Sequence, residues 1–143
     1  MCLYRYVINL ENSHECNGYS GYVSFYSHRE RQFACATGDG VVAKADNTAS
    51  GYGNHIVIRH GFGYETLYGH LSKYKCRAGQ QIKRGDIIGY VGSTGRSEAP
   101  HLHYEVHKDG KVVNPINFYY GNISAAEYVA ISKVANQENQ SLD

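Results

Sequence analysis

The chain has 143 residues and a mass of 16.0 kDa, enough for a single domain with one core and one cleft at most. Lys and Arg number 14 against 13 Asp and Glu, a balance that leaves no electrostatic footprint for nucleic acid or an anionic membrane surface and suits a polar or neutral substrate. With Tyr 14, Gly 16, Pro 2 and Trp 0, the composition favours strands and tight turns over long amphipathic helices.

Residues 1–35 do not resemble the rest. They hold five tyrosines and three of the four cysteines but no proline or aspartate, with few periodic stretches. They are expected to form an atypical N-terminal segment, disordered or out of frame. Cys2, Cys16, Cys35 and Cys76 contain no C-x-x-C pair, so a cysteine zinc knuckle is not expected and spacing alone sets no disulfide pairing. No run of 18 apolar residues occurs and the start lacks the basic-then-apolar layout of a secretory leader. The expectation is no membrane span, and either a cytoplasmic location or a true start that lies upstream.

From Gly40 onward, glycine punctuates short apolar alternations: Val41-Val42-Ala43, then His55-Ile56-Val57-Ile58, then Glu65-Thr66-Leu67-Tyr68. Each reads as a short strand of about four to six residues. Gly38-Asp39-Gly40, Gly51-Tyr52-Gly53-Asn54 and Gly61-Phe62-Gly63 lie between them and suit positive φ and chain reversal, so antiparallel pairing is predicted. In residues 78–92 single apolar positions alternate with glycine corners, as in strands that bend to close a barrel or sandwich. Residues 92–97 form a polar, glycine-bounded loop leading into the strand His101-Leu102-His103-Tyr104-Glu105-Val106. Beyond Pro115, Ser124 and Glu127 make a capping box that predicts a helix over 125–136, followed by a frayed polar tail.

The expected organisation is therefore an atypical segment over 1–35, a β domain over 36–122, and a helix with tail over 123–143. The fold class is mostly β: an antiparallel sheet or barrel-like sandwich with a short C-terminal helix.

Side chains two apart in a strand share a face, so His101 and His103 project together, about 6 to 7 Å apart at Cα, and can address one metal. Zinc takes imidazole nitrogen and carboxylate oxygen, and a hydrolytic site keeps one position open for water. His70, in Leu67-Tyr68-Gly69-His70-Leu71-Ser72, ends a predicted strand where it can enter the same cleft. Glu105 shares the face of the pair; a solvent-facing carboxylate is the expected reading, orientation of a ligand imidazole the alternative. His55, His60 and His107 flank turns and are expected at the surface.

The run from Gly89 to Glu105, with Gly92-Ser93-Thr94-Gly95-Arg96-Ser97 and His101-Leu102-His103-Tyr104-Glu105, resembles the C-terminal signature of the lysostaphin/LytM-type zinc endopeptidases. Ala36-Thr37-Gly38-Asp39-Gly40-Val41-Val42, Gly51-Tyr52-Gly53-Asn54, Tyr68-Gly69-His70-Leu71-Ser72 and Gly79-Gln80-Gln81-Ile82-Lys83-Arg84-Gly85 match the same family. The resemblance covers about residues 36–120 and implies the duplicated hybrid motif fold. It also implies a single Zn2+, cleavage of peptidoglycan peptides as substrate and partner, and residence in the cell envelope. By motif it makes His103 a zinc ligand and places His70 and His101 beside the catalytic water.

The family's remaining ligands come from an H-x-x-x-D element, which has no convincing copy here. In His28-Arg29-Glu30-Arg31-Gln32 the aspartate place holds glutamine, a neutral and poor zinc ligand. As written, the chain is expected to be inactive. Either it is a degenerate, non-catalytic peptidoglycan-binding or hydrolase-activating module, or residues 1–35 are misjoined and the ligand strand lies elsewhere. A biotinyl or lipoyl carrier shares the glycine-cornered strands of 79–89, but no lysine sits at a suitable hairpin tip and the histidines would have no role.

Overall fold

Alternation and glycine corners produce a strongly curled antiparallel sheet. The structure, a computed structural model, describes residues 22–26, 32–118 and 129. Its strands are β1 (Tyr22–Tyr26), β2 (Phe33–Cys35), β3 (Gly40–Thr48), β4 (Gly53–Gly61), β5 (Tyr64–Tyr74), β6 (Gln81–Ile82), β7 (Ile87–Val91), β8 (His101–Lys108) and β9 (Lys111–Val113), followed by a 3-10 turn at Pro115–Phe118. The main path runs β1-β8-β5-β4-β3-β6; β7 branches from the end of β5 and carries β2, and β9 pairs with β8. All pairings are antiparallel. The helix and tail expected over 123–143 lie outside the described residues apart from Val129.

The predicted strands at 41–43, 55–58 and 65–68 extend to nine, nine and eleven residues. Apolar alternation marks only the stretch over the core, while the ladder continues through polar pairs such as Asp46 with His55 and Asn47 with Asn54. The turn Gly61-Phe62-Gly63 reverses the chain between β4 and β5 with φ of 87°, 50° and 76°, as its glycines predict.

Two strands, β1 and β2, lie upstream of the boundary expected at residue 36. β1 pairs along its length with β8, placing Ser24 opposite His103 and Tyr26 opposite His101. β2 pairs with β7, and the Gln32 carbonyl extends that ladder by accepting from Val91 N at 2.9 Å.

Cross-strand partners share a face, and β8 separates two environments. Leu102, Tyr104 and Val106 face the core with Tyr68, Ile56, Ile58 and Val42, all buried. Burial of such side chains contributes roughly 1.5 to 3 kcal/mol each. His101, His103, Glu105 and His107 occupy the other face. On the core side a hydroxyl chain links Thr37 Oγ1 to Tyr104 OH at 3.0 Å and to Tyr68 OH at 2.9 Å, so Tyr104 is a packing residue. Cys35 is disulfide-bonded. Cys76 is a free buried thiol whose pKa is pushed up by burial.

Candidate metal centre

The site begins with a break in β5. Up to Gly69 this strand pairs with β8, Gly69 opposite His103; from Leu71 it pairs with β7, Leu71 opposite Val91. His70 stands at the change of partner with φ of 58°, a left-handed conformation uncommon for a residue with a Cβ. Its amide donates to Tyr52 O at 2.7 Å, and its Nδ1–H donates to Thr94 O at 2.8 Å. The bend turns the imidazole towards β8 and leaves Nε2 as the unprotonated nitrogen.

β8 supplies the other two imidazoles. His101 Nδ1–H donates to Ala99 O at 2.8 Å, with Ser97 Oγ 3.2 Å away, so its unprotonated nitrogen is also Nε2. His103 is held the other way round, its Nε2–H donating to Glu105 Oε1 at 2.8 Å. The rings of His70 and His101 lie 4.7 Å apart between centroids, and those of His70 and His103 5.5 Å. One candidate ligand atom from each lies within 4.8 Å of the others, and all three residues are buried. A carbonyl or carboxylate behind each imidazole is the arrangement that orients metal-binding histidines.

Glu105 overturns its solvent-facing expectation, being only 5% exposed. It accepts from His103 Nε2 and Tyr52 OH at Oε1, both at 2.8 Å, and from His107 Nε2 at Oε2 at 2.6 Å. Burial alone would push its carboxyl pKa up, but the donors His103, His107 and Tyr52 together hold it below the ordinary value. Period-two spacing from His101 and His103 was the signal for this role.

Tyr52 was not singled out from the sequence, although it sits in the Gly51-Tyr52-Gly53-Asn54 element. Its ring packs 5.2 Å from that of His103, its hydroxyl reaches Glu105 and its carbonyl receives the His70 amide. A hydroxyl bonded to the carboxylate and a carbonyl bonded to the amide tie two site histidines to one turn.

The other histidines stand apart from the cluster. His55, expected at the surface, is buried, its Nδ1–H donating to Gly53 O at 3.0 Å. A backbone carbonyl satisfies that donor, which is what allows the ring to be buried. His60 is half-buried, between Asp39 O and the Thr66 hydroxyl, both at 2.7 Å. His107 is also half-buried, bonded to Glu105. His28 lies outside the described residues. A separate cavity of about 260 Å3 opens on the core side, lined by Thr37, His60, Tyr64, Thr66, Tyr104 and Val106 among others; the three clustered histidines do not line it.

The donor chemistry fits half of a zinc centre. Among the described residues the cluster consists of three imidazoles without a carboxylate ligand, since the Glu105 carboxylate is turned to the far side of His103.

Comparison with known proteins identifies relatives of this fold. The peptidoglycan DD-endopeptidase ShyA of Vibrio cholerae is 43% identical over 99 residues, covering 69% of this chain and 22% of ShyA. The murein hydrolase activator NlpD of Salmonella typhimurium is 41% identical over 87 residues, covering 61% and 23%. The chain thus spans about a fifth of the length of these relatives. Among solved structures, the catalytic domain of lysostaphin from Staphylococcus simulans superposes with a TM-score of 0.67 at 29% identity, over 79% of this chain and 95% of that domain. A zinc-containing peptidase from Vibrio cholerae gives 0.61 at 37% identity, over 66% and 28%. Residues 25–115 match the profile of peptidase family M23, and with its curled antiparallel sheet and buried histidines the chain belongs to that family.

Proposed function

We propose that this chain is a peptidoglycan-directed domain of a zinc metalloendopeptidase type whose metal centre, as the sequence stands, is incomplete. His103 is the zinc ligand, through Nδ1. His70 and His101 are the catalytic histidines, presenting Nε2 where a water and the developing oxyanion would lie. Zinc, when bound, supplies Lewis-acid activation of water and polarisation of the scissile amide carbonyl. Thr94 and Ala99 hold the two catalytic tautomers, and Glu105 holds the ligand tautomer.

The observation that carries this reading is the three-imidazole cluster, which among the described residues has no anionic ligand. A hydrolytic zinc centre of this family type needs the H-x-x-x-D histidine and aspartate as well. No convincing copy of that element is present: in the sole candidate stretch, from His28, the aspartate place falls on Gln32, which enters the β2–β7 ladder through its backbone. One ligand with two imidazoles near it binds zinc weakly, so the domain is proposed to bind wall peptides without cutting them. The likeness to an activator of murein hydrolases supports that reading; the likeness to a DD-endopeptidase supports the substrate class. Peptidoglycan lies in the envelope, and the Cys35 disulfide suits an oxidising compartment. No helix among the described residues is long and apolar enough to cross a membrane.

The test is incubation with purified peptidoglycan. Co-sedimentation without release of new amino groups is the expected result. Release that disappears in His101→Ala would show an active hydrolase and overturn the incomplete-centre reading.

A further inference from the structure

The cavity on the core side of β8 takes no part in the histidine cluster, and its lining has a chemistry of its own. The floor is a network of hydroxyls. Tyr68 OH accepts from Thr37 N at 3.0 Å and from Thr66 Oγ1 at 3.1 Å, and lies 2.9 Å from Thr37 Oγ1, so it has no further bond to make. Both ring nitrogens of His60 are engaged at 2.7 Å, by Asp39 O and by Thr66 Oγ1. The two threonines differ from these. A hydroxyl makes up to three hydrogen bonds, one as donor and two as acceptor, while Thr37 Oγ1 and Thr66 Oγ1 have two partners each. Each has room for one more. At Thr66, whose proton is spent within the network, that bond is accepted.

The rim is aromatic. Tyr64 and Phe118 meet edge to face at 5.6 Å, and Phe62, at the tip of the β4–β5 hairpin, is 93% exposed. Its φ of 50° is left-handed, and Lys108 Nζ holds the turn by donating to Phe62 O at 2.7 Å. A phenyl ring kept in water on a constrained turn adds nothing to the core, and it presents an open apolar face beside the cavity.

We infer that this cavity is a binding site for a single sugar ring. A carboxylate or phosphate has no proton to give Thr66. A cation would meet Arg84 in the lining and Lys108 Nζ, already 4.9 Å from the Tyr64 ring centre, and no carboxylate lines the cavity to offset them. The ligand left is neutral, with an apolar ring face, and the two places at Thr37 and Thr66 call for more than one hydroxyl. A pyranose meets these conditions, since its hydroxyls donate or accept and its C–H face packs on an aromatic ring. The volume of about 260 Å3 falls short of the roughly 300 to 1,000 Å3 of pockets for drug-sized molecules, which suits one ring. The inference rests on the peptidoglycan reading for its source, the glycan of the wall.

The test is titration of the full 15N-labelled chain with N-acetylglucosamine. Benzyl alcohol, a ring with one hydroxyl, and acetate, an anion, serve as contrasting probes. Saturable movement of the Gly38, Gly61, Phe62 and Thr66 amide signals is expected with the sugar, and weaker binding of both other probes. Phe62→Ala changes an exposed side chain and should weaken sugar binding severalfold. Thr66→Val removes the acceptor and should do the same, its amide spectrum confirming that it is folded. Absence of saturable shifts, shifts confined to residues outside the cavity, tighter binding of benzyl alcohol, or unchanged affinity in both folded variants would overturn the inference. Wall glycan stripped of peptide should compete with the monosaccharide; failure to compete would overturn the wall as the source. Co-sedimentation with peptidoglycan is read separately. Sugar binding by a chain that does not sediment would count against the wall-directed reading and leave the site standing, whereas sedimentation without sugar binding would overturn the site alone.

Discussion

At the scale of single residues, the site is built from conformations that cost free energy and from contacts that hold them. His70 is the plainest case. Its φ of 58° carries a penalty of about 1 to 2 kcal/mol for any side chain with a Cβ, which Gly would largely avoid. His70→Gly is therefore expected to be more stable than His70→Ala by about 1 kcal/mol, although both lose the same ring. Urea unfolding of the two variants checks this; equal stabilities would mean that the bend is not under strain. The histidines themselves were legible from the H-x-H spacing and the surrounding motifs. The left-handed bend was not: the sequence reading ends a strand at His70, whereas the strand runs on to Tyr74 and changes partner there. Nor was the burial of Glu105 and His55, since apolar periodicity carries no information about polar residues that are buried by being hydrogen-bonded.

Among the elements, the centre depends on two loops locked to each other rather than on strands alone. Gly95, at φ 72°, lies so close to the Gly51–Gly53 turn that a Cβ there would sit 2.3 Å from Gly51 O and Gly53 N. That contact seats Thr94, whose carbonyl holds His70 and whose hydroxyl donates to Leu71 O at 2.8 Å. Gly110 has a similar φ of 76° with nothing within 4 Å of an added Cβ. Gly110→Ala should thus cost only the backbone penalty of about 1 kcal/mol, and Gly95→Ala at least about 2 kcal/mol more, as backbone atoms must move apart. Thermal or urea unfolding distinguishes the two, and equal losses would show that the loops are not packed as described. Glycine positions and hairpin order were readable in the chain, because a turn residue announces its own conformation. Strand lengths were not, because the polar ends of β3, β4 and β5 pair through backbone groups common to all residues. β1 and β2 were missed for the same reason: the segment before residue 36 lacks periodicity, yet its backbone joins β8 and β7.

For the whole molecule, the fold and the chemistry of the cleft belong together only in part. Topology brings the partner change in β5, the H-x-H face of β8 and the two glycine loops to one place, and this assembles three imidazoles with their acceptors. Among the described residues no carboxylate joins them as a ligand. From the sequence, the motif matches point to the cluster, and the want of a convincing H-x-x-x-D copy points to the incomplete ligand set that we propose. Three-dimensional structure was needed to show which nitrogen each histidine presents and that Glu105 faces the back of His103 rather than the cluster.

The most direct test of the incomplete centre is zinc content by elemental analysis of the purified chain, wild type beside His103→Ala. The account predicts far less than one zinc per wild-type chain after dialysis, and little further change in the variant. Stoichiometric zinc in the wild type, lost in His103→Ala, would contradict it and show that the chain completes its own metal site.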